Sequence, residues 1–257
     1  MSNRNWTREE TMLAFELYCI IPSGKDTTNN PSIIELAKAI NRTPSSVKLK
    51  LQNFKSCDPS YTSRGKVGLA NVSRLDKEVC AEFLGQWDEM LLAVDEIKSQ
   101  MNIEKAETEV NKDTILQEKL LVATDKEAMR KVRVGHVFFS RAVRSAYENR
   151  CCITGISIPE LLRASHIKPW RDSNDVNEKA NPRNGLLLNA LHDAAFDKGY
   201  ISIDNDYRII LSNKLENFTL ANRKYFYAHN GVMISLPSRF LPDVEFIQYH
   251  NDVIFKR

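Results

Sequence analysis

Ala164-Ser165-His166-Ile167-Lys168-Pro169-Trp170, Asn184-Gly185-Leu186-Leu187-Leu188 and His192-Asp193-Ala194-Ala195-Phe196-Asp197-Lys198-Gly199 follow one another within one short stretch of this chain. Just upstream, Glu148-Asn149-Arg150 reads as a turn into Cys151-Cys152-Ile153-Thr154-Gly155, the expected start of a hairpin. Leu161 to Ile167 is the next strand by its apolar content, and Leu191 to Asp197 a short helix. Strand, loop, strand, helix is a ββα unit, and it carries His, Asn and His in order.

Those residue types suit phosphodiester hydrolysis. A neutral imidazole must take a proton from water, and a cation must neutralise the charge that builds on phosphorus and on the departing 3′ oxygen. A lone buried histidine is usually a satisfied core residue, which is the reading given to His136, His229 and His250. His166 and His192 stand in whole phrases instead: YENRCCITG, ASHIKPW, NGLLL and HDAAFDKG, in that order.

These four phrases resemble the HNH endonucleases, specifically the restriction-type subgroup with an N-terminal DNA-binding domain. The resemblance spans Val134 to Arg208 and extends faintly to the C-terminal segment around His250. It implies that His166 is the general base, that Asn184 braces the intervening loop and orients that base, and that His192 ligates a single divalent ion. Arg163, on the Ser165 side of a regular strand, would hold the scissile phosphate. The family pattern departs at Ser165, where an acidic or histidine metal ligand is common. Either Ser165 and waters complete the metal shell or another carboxylate such as Asp197 reaches in; Asp193 should point elsewhere on the helix. Oxygen donors suit magnesium or manganese, whereas a histidine ligand also admits zinc or nickel.

The rest of the chain must then account for substrate binding. Its 257 residues suit two modest domains and a connector: a helical DNA-binding domain over residues 1–93, a helical linker over 94–130 and the nuclease domain over 131–257. The fold class expected is α+β. Thr7 with Glu10 makes a capping box before an apolar helix, and the turn residues Pro22 to Pro31 make a loop. Ser32 opens IIELAKAI, Asn41-Arg42 breaks it, and Thr43-Pro44 starts another helix, a helix-turn-helix plan.

In that second helix Val47, Leu51 and Phe54 face a core, leaving Ser45, Lys48, Gln52 and Lys55 on the other side for phosphates and base edges. With Arg42 they belong to a block from Asn41 to Lys77 in which Arg42, Lys48, Lys50, Lys55, Arg64, Lys66, Arg74 and Lys77 face only Asp58 and Asp76. A plain amphipathic helix in a bundle is the alternative, and the outward Leu49 favours it. Val94 to Arg130 is polar, with neither glycine nor proline, and reads as solvated connecting helix. After the nuclease unit, Tyr200 to Asp204 and Tyr207 to Leu211 form a hairpin about Asn205-Asp206, and the final residues suggest a closing strand and a docked tail.

Composition sets the remaining bounds. A hydrophobic fraction of 42% and a net charge of +3 are ordinary for a soluble protein. No run approaches the roughly 20 apolar residues of a membrane helix, and acids near the start argue against a signal peptide, so a cytoplasmic location is expected. Five scattered cysteines without a Cys-x-x-Cys pair read as reduced thiols and leave no structural zinc site. The expected activity is metal-dependent cleavage of double-stranded DNA by a restriction or defence enzyme. One such site cuts one strand, so a homodimer is expected on DNA. Two rivals are a DNA-binding regulator that has lost catalysis, for which Ser165 speaks, and a nuclease whose front half senses modified DNA or a partner protein.

Overall fold

The Thr7 hydroxyl accepts from Glu10 N–H, and the Glu10 carboxylate accepts from Thr7 N–H, each at 3.2 Å, in the computed structural model of this protein. This capping box opens α1 (Arg8–Ile20). The structure describes residues 4–58, 72–103, 126–215 and 219–257. Asn30 caps α2 (Pro31–Ala39), so Pro31, read from sequence as loop, is the first helical residue, where its missing N–H costs nothing. Thr43 caps α3 (Pro44–Phe54) after a break at Asn41, whose φ of 51° is left-handed. A second capping box, Ser73 with Asp76, opens α4 (Arg74–Gly85), followed by α5 (Trp87–Gln100) and α6 (Lys126–Ala146).

Contacts divide the chain into two compact units, one of residues up to 146 together with 174–181, the other of 147–173 and 182–257. The first is built on α1, which packs against α3, α4, α5 and α6. Phe15 lies 5.1 Å from Phe54 and 4.7 Å from Phe83, ring centre to ring centre, and Trp87 joins Phe83 to Phe138. Such ring pairs add about 0.5–1.5 kcal/mol each beyond their burial. Val47, Leu51 and Phe54 of α3 are buried as their spacing predicts, and Leu49 is exposed.

Helix α6, which the sequence reading placed at the head of the nuclease domain, instead packs on α1 and α5 through Phe138, Phe139, Ala142 and Val143. Of the expected linker, residues 104–125 lie outside the described residues. Residues 174–181 join the first unit too. Asp88 N–H donates to the Val176 carbonyl at 3.3 Å, and desolvation raises the buried Asp88 carboxyl to about 6.

In the second unit the antiparallel pair is β1 (Leu162–His166) with β2 (Gly185–Asn189), Ser165 opposite Leu186 and His166 opposite Gly185. The cysteine pair does not start this hairpin. Cys151 to Gly155 is a turn closed by Gly155 N–H to the Cys151 carbonyl, and GLLLN, every residue of it buried, supplies the second strand. Helix α7 (Ala190–Asp197) follows at once, completing ββα.

The expected hairpin is β3 (Ile201–Ile203) with β4 (Ile209–Leu211). Next come α8 (Leu220–Tyr225), α9 (Val244–Tyr249) and a π-turn His250–Ile254. Where a closing strand was expected the chain is therefore helical, and only the last residues are extended. They cross Gly199 so closely that a Cβ there would lie 2.1 Å from the Ile254 carbonyl oxygen; Gly199 also has φ of +70°. No helix among the described residues is long and apolar enough to cross a membrane.

Candidate active site

His166 ends β1, half-buried, its ring edge-on to Trp170 at 5.4 Å between centroids. The loop after it is held by Asn184, which is fully buried. The Asn184 side-chain oxygen accepts from Lys168 N–H at 2.8 Å, while its amide nitrogen donates to the Lys168 carbonyl at 3.1 Å and to Ser173 Oγ at 3.3 Å. Ile167 N–H donates to the Asn184 carbonyl at 2.9 Å. Both backbone groups of one residue, Lys168, two past His166, are thus clamped by one side chain. Asn184 braces the loop that leaves the His166 strand.

His192, expected as the metal ligand, lies in the first turn of α7. It is buried, its Nδ1 lies 2.8 Å from the Asn189 amide nitrogen and its Nε2 2.8 Å from the Tyr225 carbonyl. A carbonyl only accepts, so Nε2 carries the proton and Nδ1 accepts from Asn189. Both ring nitrogens are thus engaged inside the protein. Sequence reasoning passed over Asn189, which caps α7 through Leu191 and His192 N–H and also donates to Thr154 Oγ1 at 3.1 Å. Its place just before the helix was the available signal. His192 also helps hold the Cys151 thiol at about 6, against the desolvation that would raise it. His229 meets His192 edge-on and is lowered by desolvation and by that neighbour. His250 is stacked on Phe196 at 3.8 Å and lowered by burial to about 4, a core residue as read.

Of the two carboxylates of α7, Asp193 faces the strand. Asp193, expected to turn away, approaches Ser165: the Ser165 hydroxyl is near enough to lower the Asp193 carboxyl, though outside normal hydrogen-bond geometry. Arg163 lowers it as well, yet desolvation dominates and Asp193 ends above its ordinary value. Asp197, one turn on, has a tip that reaches water but sits among many protein atoms. Desolvation and the charge of Asp193 push it up to about 6. Two like charges at i, i+4 with raised carboxyls are short of positive charge. Arg163 meanwhile donates to the carbonyls of Glu160 and Leu162 at 2.8 and 3.0 Å.

Residues 151–204 match the family model of an HNH endonuclease. His166, Asn184, His192 and the α7 carboxylates all fall within this HNH segment. The match supports a nuclease, a hydrolase acting on DNA, in the second unit. No curated protein matches the chain.

The residues assigned to DNA in the first unit separate into two sets. Arg42 is committed internally: it pairs with buried Glu10 at 2.8 Å and lies over the Trp6 ring at 4.2 Å. Lys50 likewise pairs with Asp76 in the interior. Ser45 is exposed on α3, Lys48 and Gln52 are half-buried there, and Lys55 pairs with Asp26 at 2.8 Å. Arg64 and Lys66 lie outside the described residues.

Proposed function

We propose that the chain is a metal-dependent DNA endonuclease of the restriction or defence type, working in the cytoplasm as a homodimer on duplex DNA. The observation that carries this is the placement of His166 at the end of β1, with the backbone of Lys168 clamped by Asn184 and the Asp193 carboxyl of α7 near Ser165. His166 takes the proton from the attacking water. Asn184 keeps that base in register through Lys168, and Arg163 meets the phosphate.

Among the described residues no group of three or more His, Cys, Asp or Glu is gathered for a metal ion, and the raised carboxyls of Asp193 and Asp197 are the groups that a hard divalent cation would stabilise. Asp193 and Asp197 would hold it with Ser165 beside them, in place of His192, and it would supply charge neutralisation at the phosphate and the leaving 3′ oxygen. An oxygen-only set favours magnesium or manganese and removes the reason to admit zinc or nickel. In the first unit, Ser45, Lys48, Gln52 and Lys55 form the DNA-facing side of α3, with Arg42 assigned to the fold instead. The functional division is then a DNA-binding front half, a connector that includes residues 104–125, and the HNH segment with its flanking hairpin.

Supercoiled-plasmid nicking in magnesium or manganese tests this. Wild-type protein should nick, and His166→Ala should lose about 10² to 10⁴ in rate with DNA affinity nearly unchanged. A His166→Ala rate within a few-fold of wild type would overturn the assignment of the base. Metal-bound protein that binds DNA without nicking would favour the regulator.

A further inference from the structure

Residues 174–181 lie in sequence between His166 and Asn184 but pack with the helical unit. Asn174 shapes this segment: its side-chain oxygen accepts from Val176 and Asn177 N–H at 3.0 and 2.9 Å, and its own N–H donates to the Glu178 carboxylate at 2.8 Å. Asn181 closes the far end by donating to the Asn177 carbonyl at 3.1 Å, and Ala180 is fully buried. The segment meets the start of α5 at Asp88, whose N–H donates to the Val176 carbonyl at 3.3 Å.

That position is hostile to a charge. Asp88 is 4% exposed, and its Oδ2 is buried with no hydrogen-bond partner among the described residues. Asn177, next to Val176, likewise buries a side-chain oxygen that receives no donor from them. Two buried acceptors without a donor give a carboxylate nothing to replace its hydration, whereas a proton on Asp88 removes the charge and turns one acceptor into a donor. Acidity moves in the same sense. Desolvation lifts the Asp88 carboxyl from an ordinary 3.8 to about 6, and Asp175 of the segment adds to the rise. The Ala180 N–H, Lys131 of α6 and Lys179 of the segment oppose it and are outweighed; Lys179 is itself paired with Asp175 at 2.5 Å.

We propose that Asp88 is a proton-operated latch: the segment 174–181 docks on α5 with Asp88 as the neutral acid, and ionisation of Asp88 loosens it. The docked carboxyl holds its proton more tightly than the released one. Docking is therefore strongest below pH 3.8, weakens as pH rises to about 6, and loses nothing further well above that. Between pH 5 and pH 7.5 the segment should open about tenfold more often. The latch thus sets whether the loop joining the two HNH strands is held on α5 or released from it.

Hydrogen exchange of the full-length protein, read by mass spectrometry and corrected for the intrinsic pH dependence of amide exchange, measures this in peptides covering residues 174–181. Their protection relative to peptides of α3 should fall about tenfold from pH 5 to pH 7.5. Asp88→Asn protein should keep the segment protected at both pH values. Asp175→Asn, a change at an exposed side chain, should move the midpoint of the wild-type fall to lower pH, and it serves the test even if Asp88→Asn protein does not fold. Flat wild-type protection, an equal fall in Asp88→Asn, an unmoved midpoint in Asp175→Asn, or protection that grows with pH, as a cation bound in place of the proton would give, overturns the latch.

Discussion

Replacing Asn184 with leucine, similar in size and apolar, should cost the protein about 2–4 kcal/mol. Asn184 accepts from Lys168 N–H at 2.8 Å and donates to the Lys168 carbonyl at 3.1 Å. Without it the Lys168 N–H loses its partner, which costs about 1–3 kcal/mol for a buried group. The carbonyl is less affected, because Ser173 Oγ also donates to it, at 3.1 Å. Losing the amide's own donations adds about 1 kcal/mol more. For a protein of this size that is a fall in melting temperature of roughly 4–16 °C, at about 2–4 °C per kcal/mol. Calorimetry reads the stability, and plasmid nicking read alongside it at a temperature where Asn184→Leu protein remains folded should show a rate loss, because the Lys168 backbone two residues past His166 is released. A melting temperature within about 1 °C of wild type would refute the clamp; a large stability loss with normal nicking would refute its link to His166.

His192→Gln, which can still donate to Tyr225 and accept from Asn189, should leave the midpoint of a manganese titration within a few-fold of wild type, whereas Asp193→Asn with Asp197→Asn should raise it by more than tenfold; the reverse pattern would return His192 to the metal. Lys50→Met should destabilise by about 3–5 kcal/mol in urea unfolding, because Asp76 is left charged in the interior, and adding Asp76→Asn should recover part of the loss. Equal stability of Lys50→Met and wild type would remove that pair from the fold's energetics. Glu10, whose burial opposes its charge, is nonetheless held below its ordinary 4.5 by Arg42, Thr7 N–H and Arg4, so its contribution is present above pH 4.5 and is lost as pH falls through the lower folded value. Glu10→Gln should flatten that acid limb of the stability curve, and an unchanged limb would mean that other carboxylates set it.

The sequence by itself determined what depends on neighbours along the chain. The Thr7–Glu10 capping box, the Thr43 cap, the core face Val47, Leu51 and Phe54, and the β3–β4 hairpin follow from local hydrogen bonding and from hydrophobic period, and the structure has all of them. The family phrases likewise located the HNH segment, because short motifs in order survive without knowledge of packing.

Tertiary structure alone decided which polar groups look inward. Nothing local says that Arg42 meets Glu10 or that Lys50 meets Asp76, since those partners lie far off in sequence; both lysine and arginine count as surface charge until packing supplies a carboxylate. The same holds for His192. Its place in a motif offers it to a metal, but the Tyr225 carbonyl, brought from a later helix, takes one nitrogen, and Asn189 takes the other. Once that ring turns inward, helical spacing presents Asp193 toward Ser165 and Asp197 one turn on from it. Which side of α7 meets the strand is set by burial of Ala195 and Phe196, a choice made by the whole core and not by the eight residues of the helix.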